Sequence, residues 1–544
     1  MTYSCQADRI AGVSQDPRGG FGAQTRQRNL QQLRTETFDL LVIGGGINGA
    51  GIARDAAMRG LRVALVEKGD FASGTSSKSS KLIHGGVRYL QQRDFRLVRV
   101  ACRERDLLRR RLAPHLVEPL SFIFPVFRGD PVGLFTLGAG MWLYDLLAIF
   151  RNIRAHRMLT AKRTLKMEPS LRREGLRGAA LYYDCWTDDA RLTLETILAA
   201  HQEGAAVTNY MELNAFIKEN GRIVGARVHD RYTGAAPFEV RARCVVNATG
   251  PWADSVRRLD DPTVKPCLRL TKGAHIIVPR ARLGIVHAVV MHSPRDRRIM
   301  FAIPWGNHTL IGTTDTDFDG SLDDVRPTAE DFDYLLEAAN WSFPGARLEA
   351  SDIVGSYAGV RPLVANDAED PSAVSREEEI FESASGLVTL AGGKLTTYRQ
   401  VAEEIVDLVI ERLRPSSSVP CPTRSKPLPG GMVGDPEEIM REIISMDGSG
   451  LTVDEVRRLV RRYGSRAPEV IGLIRSDDDL RKTLVPGLPD TRAEAAYAAR
   501  AEMAIQPDDI LMRRTHVGVK DTADSPQAVD LLNRFIHRAD SSTD

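Results

Sequence analysis

Gly44, Gly46 and Gly49 stand in G-x-G-x-x-G spacing, and Glu67 follows eighteen positions after the last of them. Those residue types at those intervals suit the binding of a dinucleotide. Gly44 would make a tight turn, Gly46 would let backbone N–H groups reach a pyrophosphate at a helix N-terminus, and Gly49 would allow close helix–strand packing. Glu67 would accept hydrogen bonds from a ribose diol and repel a 2′-phosphate, which favours FAD or NAD over NADP. A second chemical candidate follows at once. Residues 73–90 (SGTSSKSSKLIHGGVRYL) are rich in hydroxyls and punctuated by glycine, a composition able to hydrogen-bond a phosphate or a ribityl chain.

Regular elements must hold these groups. Residues 38–43 form an apolar, β-branched run with the length of a buried parallel strand; small residues after Asn48 predict a helix, and residues 61–67 a second strand that ends at Glu67. Two more strand-to-glycine transitions, at 244–250 (CVVNATG) and 386–394 (GLVTLAGGK), lie far downstream. The second feeds a helix with Val401, Ile405, Leu408, Val409 and Leu413 on one face, whose N-terminus would turn positive dipole toward a flavin. One contiguous Rossmann domain needs neither transition, so the pattern predicts an interleaved flavoprotein. Strand-like runs at 275–278, 300–304 and 309–312 predict an antiparallel sheet in a second layer. Beyond a Pro/Gly-rich linker through Gly431 the chain turns helical, with Thr452 and Glu455 spaced as a capping box ahead of Val456, Leu459 and Val460. The expected plan is a polar extension over 1–37, an oxidoreductase region over 38–415 and a helical domain over 432–544. FAD-binding segments are expected near 38–115, 170–255 and 350–415, with substrate-domain segments between them.

Bulk properties narrow the class. The 544 residues are 43% apolar and 26% charged, and a net charge of +2 carries no nucleic-acid-scale excess of Lys and Arg, so no nucleic-acid partner is expected. Arg457, Arg458, Arg461 and Arg462 read as one solvated helix face. Cys5, Cys102, Cys185, Cys244, Cys267 and Cys421 form no C-x-x-C and no pairing with His, which fits a reducing, cytoplasmic compartment without zinc or disulfides. Residues 315–320 (DTDFDG) open like a calcium loop but place Arg326 where a bidentate Glu is required, so no metal site is expected. Residues 1–37 lack a secretory apolar region and read as a disordered or loosely docked extension. Residues 133–150 are the longest apolar stretch; Asp145 interrupts it, so it predicts a buried or surface-docked helix and not a membrane span.

Seven long motifs then carry a resemblance: residues 74–77 (GTSS), 84–90 (HGGVRYL), 247–252 (NATGPW), 271–275 (TKGAH), 312–315 (GTTD), 359–363 (GVRPL) and 392–399 (GGKLTTYR). From about Phe38 to near its C-terminus the chain resembles the FAD-dependent glycerol-3-phosphate dehydrogenases. The resemblance implies an α/β composite fold: a Rossmann-like FAD-binding domain interleaved with an antiparallel-sheet substrate domain, as in D-amino-acid oxidase, and a C-terminal helical domain. It implies oxidation of sn-glycerol 3-phosphate to dihydroxyacetone phosphate by hydride transfer to FAD, with electrons passed to a membrane quinone. The cofactor-binding residues it implies are Gly44, Gly46, Asn48, Gly49, Glu67, Thr75, Ser76, Ser77, Ser80, Leu82, His84, Gly85, Gly86, Ala248, Gly250, Gly393, Lys394, Leu395 and Thr396. At the substrate it implies Arg88, Tyr89, Thr313, Arg361 and Lys394, with His275 preferred as base and His84 as the other candidate. That set is chemically apt, since a guanidinium grips phosphate oxygens bidentately and an imidazole can take the C2 hydroxyl proton.

A quinone is confined to the bilayer, so such an enzyme would sit peripherally on the anionic face of the cytoplasmic membrane. Residues 95–112, with Arg96, Arg99, Arg103, Arg105, Arg109, Arg110 and Arg111 beside an apolar stripe, are the helix expected to dock. The same framework admits two alternatives, an oxygen-using glycerol-3-phosphate oxidase and an amine or amino-acid oxidase. A homodimer is admitted but not required.

Overall fold

The structure is a computed structural model that describes residues 20–87, 94–148, 152–365, 378–414, 419–431, 436–445 and 450–541. Its first sheet grows around the strand Thr37–Ile43, whose residues 38–43 are buried on both faces. Parallel neighbours Phe238–Asn247 and Val63–Val66 flank it, and Val388–Ala391 and Ala206–Thr208 extend the parallel array on either side. Continuous apolar runs are what doubly covered parallel strands require. Register puts Ile43 beside both Asn247 and Val66, so the three glycine-bearing turns after these strands open on one edge. The helix Ile47–Met58 returns across this sheet, completing the expected unit.

The second sheet has ten strands, nearly all antiparallel, and the strand Leu268–Pro279 lies inside it between His308–Gly312 and Gly355–Val364. Its register sets His275 opposite Tyr357 on one side and Gly312 on the other, and Thr271 opposite Arg361. The strands expected near 275, 300 and 309 are all present and antiparallel.

Two expectations are corrected. Residues 20–36 are not loosely held: Ala23–Thr35 is a helix with Arg26 on the Asp230 carboxylate at 2.8 Å and Asn29 donating to the Val207 carbonyl at 2.8 Å. Its buried face is Thr25, Arg26, Asn29 and Leu33, so docking is largely polar and leaves no apolar stripe to read. The arginines after Thr452 are also not one solvated face. Thr452 and Glu455 do cap the helix Val453–Tyr463, but Arg458 grips buried Glu494 at 2.7 and 2.8 Å, and Arg462 reaches Asp490 at 2.5 Å and Glu494 at 2.6 Å. The C-terminal helices have a core of their own, built on Val456, Leu459, Val470, Ile471 and Ile510 among others. They join the rest through buried ion pairs, Arg191–Glu502 at 2.7 Å, Arg466–Glu195 at 3.1 Å and Arg514–Asp70 at 2.5 Å, and through His516 Nε2, which donates to Asp188 at 2.8 Å from an imidazole whose pKa burial holds down.

Candidate active site

At the edge where the parallel strands end, Gly44 adopts a φ of 109°, and a Cβ there would stand 2.6 Å from the Ala248 carbonyl oxygen. A Cβ at Gly49 would lie 1.9 Å from the Gly44 oxygen, so helix and strand approach as closely as the motif demands. Gly46 caps the helix Ile47–Met58 without a side chain, and the first turn carries no acid, which leaves positive dipole for an anion. Ser76 Oγ accepts from the Ile47 amide at 2.9 Å. The Glu67 carboxylate accepts from the Gly45 and Gly69 amides at 2.7 and 2.8 Å, and burial pushes its pKa up against those two donors. Asn48 Oδ1 is buried with no hydrogen bond, and a Cβ on Gly393 would come within 2.7 Å of Asn48 Nδ2, so the 392–394 turn closes on the helix start. The Ala248 amide donates to the Ile43 carbonyl at 2.9 Å, Gly250 opens the short helix Gly250–Trp252 and Ser77 ends the short helix Thr75–Ser77.

Against the second sheet, and walled by the 75–87 loop, the helix Leu134–Leu147 and the 392–396 turn, lies a cavity of about 660 Å³. Of the residues expected at cofactor or substrate, Thr75, Ser80, Leu82, His84, Gly86, His275, Thr313, Arg361, Gly393, Lys394, Leu395 and Thr396 line it. Gly85 does not; its amide turns away to Asp184 at 3.0 Å, while the His84 amide donates to Thr396 Oγ1 at 3.1 Å. Arg88 and Tyr89 lie outside the described residues.

His275 is 2% exposed. Its Nε2 is 2.9 Å from Ser80 Oγ, and its ring stacks on Tyr357 at 4.8 Å and 22°. The Nδ1 atom makes no hydrogen bond. Burial first, then Arg361 and Lys81, hold this imidazole well below its ordinary 6.5, so it is neutral at neutral pH and ready to accept a proton. Room for the ring comes from Gly312, where a Cβ would sit 2.2 Å from His275 Cδ2. Arg361 donates to Asp315 Oδ1 at 2.8 Å and to Thr313 Oγ1 at 3.0 Å, and Asp315 Oδ2 is held in turn by Arg298 at 2.8 Å. The would-be calcium carboxylate is therefore committed to two guanidinium groups. The motifs do not point to Arg298 or to Lys78, yet both line the cavity. Arg298 sits in a polar hairpin, and Lys78 reads as one more residue of a hydroxyl-rich loop; only the fold brings them in.

A family model for FAD dependent oxidoreductases matches residues 39–399, and one described as the C-terminal domain of alpha-glycerophosphate oxidase matches 421–538. Aerobic glycerol-3-phosphate dehydrogenase of Bacillus subtilis is 40% identical over 503 residues, covering 91% of this chain and 90% of that protein. The chain belongs to the FAD-dependent glycerol-3-phosphate dehydrogenase family. The dehydrogenase of the same name from Staphylococcus haemolyticus is 40% identical over 495 residues, 89% of this chain and 88% of its own. The crystal structure of the glycerol-3-phosphate dehydrogenase from Bacillus halodurans complexed with FAD has a TM-score of 0.79 at 36% identity, covering 96% of this chain and 95% of that one. A Mycoplasma pneumoniae L-alpha-glycerophosphate oxidase with FAD bound shares the fold, with a TM-score of 0.55 at 20% identity over 72% of this chain and 99% of that one. FAD is the cofactor of this family member, and the crevice fits it: a helix N-terminus with no acid in its first turn for a pyrophosphate, a half-buried carboxylate just after the second strand, and the unsatisfied Asn48 oxygen.

Proposed function

We propose that the enzyme oxidises sn-glycerol 3-phosphate to dihydroxyacetone phosphate and passes the electrons to a membrane quinone. The observation that carries this reading is one cavity holding a buried neutral imidazole beside a guanidinium fork. Arg361 binds the phosphate dianion, with Lys394 adding positive charge from the 392–394 turn. His275 accepts the C2 hydroxyl proton, for which its depressed pKa supplies the neutral form. His84 is the other candidate on the cavity wall. Bound FAD supplies the hydride acceptor. Visible absorbance of the purified protein, before and after anaerobic addition of glycerol 3-phosphate, tests this: bleaching is expected, and an unchanged flavin spectrum sinks it.

Docking on the membrane is supported by a helix other than the one the sequence pointed to. No helix among the described residues is long and apolar enough to cross a membrane. In the helix Phe95–Leu107, Arg105 is buried and pairs with Asp184, so only part of its basic face is available. Packed against it through Val98, Cys102 and Tyr144 is the helix Leu134–Leu147. Its inner face lines the cavity at Leu137 and Met141; its outer face carries Phe135 at 91%, Trp142 at 63% and Leu146 at 57% exposure. Exposed aromatics beside exposed Arg96, Arg99 and Arg103 have the character of an interfacial membrane anchor. The protein is expected to co-sediment with anionic vesicles at low salt. A Phe135→Glu/Trp142→Glu variant should lose that binding, since each aromatic contributes about 1.5–3 kcal/mol on burial. Binding should also weaken with salt, each basic group being worth about 1 kcal/mol before screening. No sedimentation of the unmodified protein at low salt would turn the reading toward an oxygen-using oxidase, with peroxide as the product to assay.

A further inference from the structure

The turn that follows the hydroxyl-rich loop is fixed more firmly than a solvent loop requires. Lys81 is 1% exposed and has a φ of 57°, a left-handed conformation that a non-glycine residue keeps only when its surroundings over-determine it. Its ammonium lies 2.5 Å from Oδ1 of fully buried Asp189. The other carboxylate oxygen accepts from the Ser79 amide at 3.1 Å and the Ser79 hydroxyl at 2.7 Å. Lys81 Nζ also sits 5.2 Å from the centre of the Trp305 ring and 5.7 Å from that of Tyr357. Tyr357 donates its hydroxyl to the Ser79 carbonyl at 2.7 Å and stacks on His275. Ser80, between Ser79 and Lys81, meets His275 Nε2. The two side chains that hold the imidazole, Tyr357 and Ser80, are thus both tied to the turn that the Lys81–Asp189 pair closes.

We propose that the buried Lys81–Asp189 pair is a positioning device for His275, with Lys81 the positioning residue: it locks the turn so that Ser80 and Tyr357 hold the imidazole in one orientation on the cavity wall. The device rests on the reading of His275 as proton acceptor. The charged groups that face the imidazole are Arg361 from the neighbouring strand and Lys81 from the turn, and Tyr357 stays a neutral phenol because burial, then Asp189, push its pKa far up.

The test uses the full-length, FAD-loaded enzyme labelled with ¹³C at histidine Cε1, with the His275 signal assigned by its loss in His275→Asn. Lys81→Met alone leaves Asp189 a buried, uncompensated carboxylate and endangers folding, so Lys81→Met/Asp189→Leu removes both charges while Lys81→Arg keeps the pair. The unmodified protein and Lys81→Arg are expected to give one sharp His275 signal in the neutral form at neutral pH. In the double variant the signal should broaden or split as the ring samples more than one orientation. Flavin reduction by glycerol 3-phosphate in stopped flow should slow by about tenfold or more with flavin content retained. A single sharp His275 signal in the double variant overturns the device whatever the reduction rate. If the signal broadens or splits while His275→Asn reduces flavin at the unmodified rate, the base assignment falls and the device stands.

Discussion

Glu67→Arg is expected to yield a folded but colourless protein. The half-buried carboxylate holds the Gly45 and Gly69 amides, one on each oxygen. Arginine accepts no hydrogen bond, so both amides lose their partner, and the acceptor we propose for the ribose diol becomes a donor. Hydrogen bonds to a charged acceptor contribute about 1.5–3 kcal/mol each, so loss of two from a ribose diol lowers FAD affinity by about a hundredfold or more. Glu67→Gln keeps the shape and one acceptor oxygen, and it should retain some flavin after purification. The ratio of flavin to protein absorbance, with circular dichroism to verify folding, decides; stoichiometric flavin in Glu67→Arg would exclude Glu67 from the cofactor site.

Arg361→Lys should lose activity although it keeps its charge. In the enzyme the guanidinium is aimed by Asp315, itself braced by Arg298, and by Thr313, an arrangement that a single ammonium cannot reproduce. Loss of a two-oxygen grip on phosphate costs about 2–3 kcal/mol, which lowers kcat/KM by about 30- to 150-fold. Asp315 aims that guanidinium through its Oδ1, so Asp315→Asn, which removes the carboxylate from between the two arginines, should weaken the same parameter. Steady-state kinetics with glycerol 3-phosphate decide, and unmodified kcat/KM in Arg361→Lys removes this residue from the substrate.

Where the sequence was readable, one local rule governed. The unit from Thr37 to Glu67 is legible because strand, glycines, helix and acid are contiguous and each obeys its own periodicity. The antiparallel strands around His275 were legible for the same reason. What escaped was set by partners distant in the chain. Arg26 is buried because Asp230 lies opposite, and Arg105 turns inward because Asp184 and Tyr144 receive it. Arg298 joins the cavity only because the sheet register carries its hairpin past Asp315. A charged side chain whose buried partner lies beyond its own helix or strand is indistinguishable in sequence from a solvated one.

The ion pairs between the C-terminal helices and the rest have a thermodynamic consequence. Arg191, Glu502, Arg514 and Asp70 are all essentially without solvent contact, so opening any one pair strands a charge at a cost of several kcal/mol. The C-terminal helices therefore cannot peel away by stages, and calorimetry of the whole chain should show one melting transition despite its two family modules. Asp70 lies three residues beyond Glu67, on the loop that leaves the nucleotide crevice. Flavin binding should then raise the melting temperature of helices that line no part of the cavity, the whole chain acting as one linked ligand-binding equilibrium.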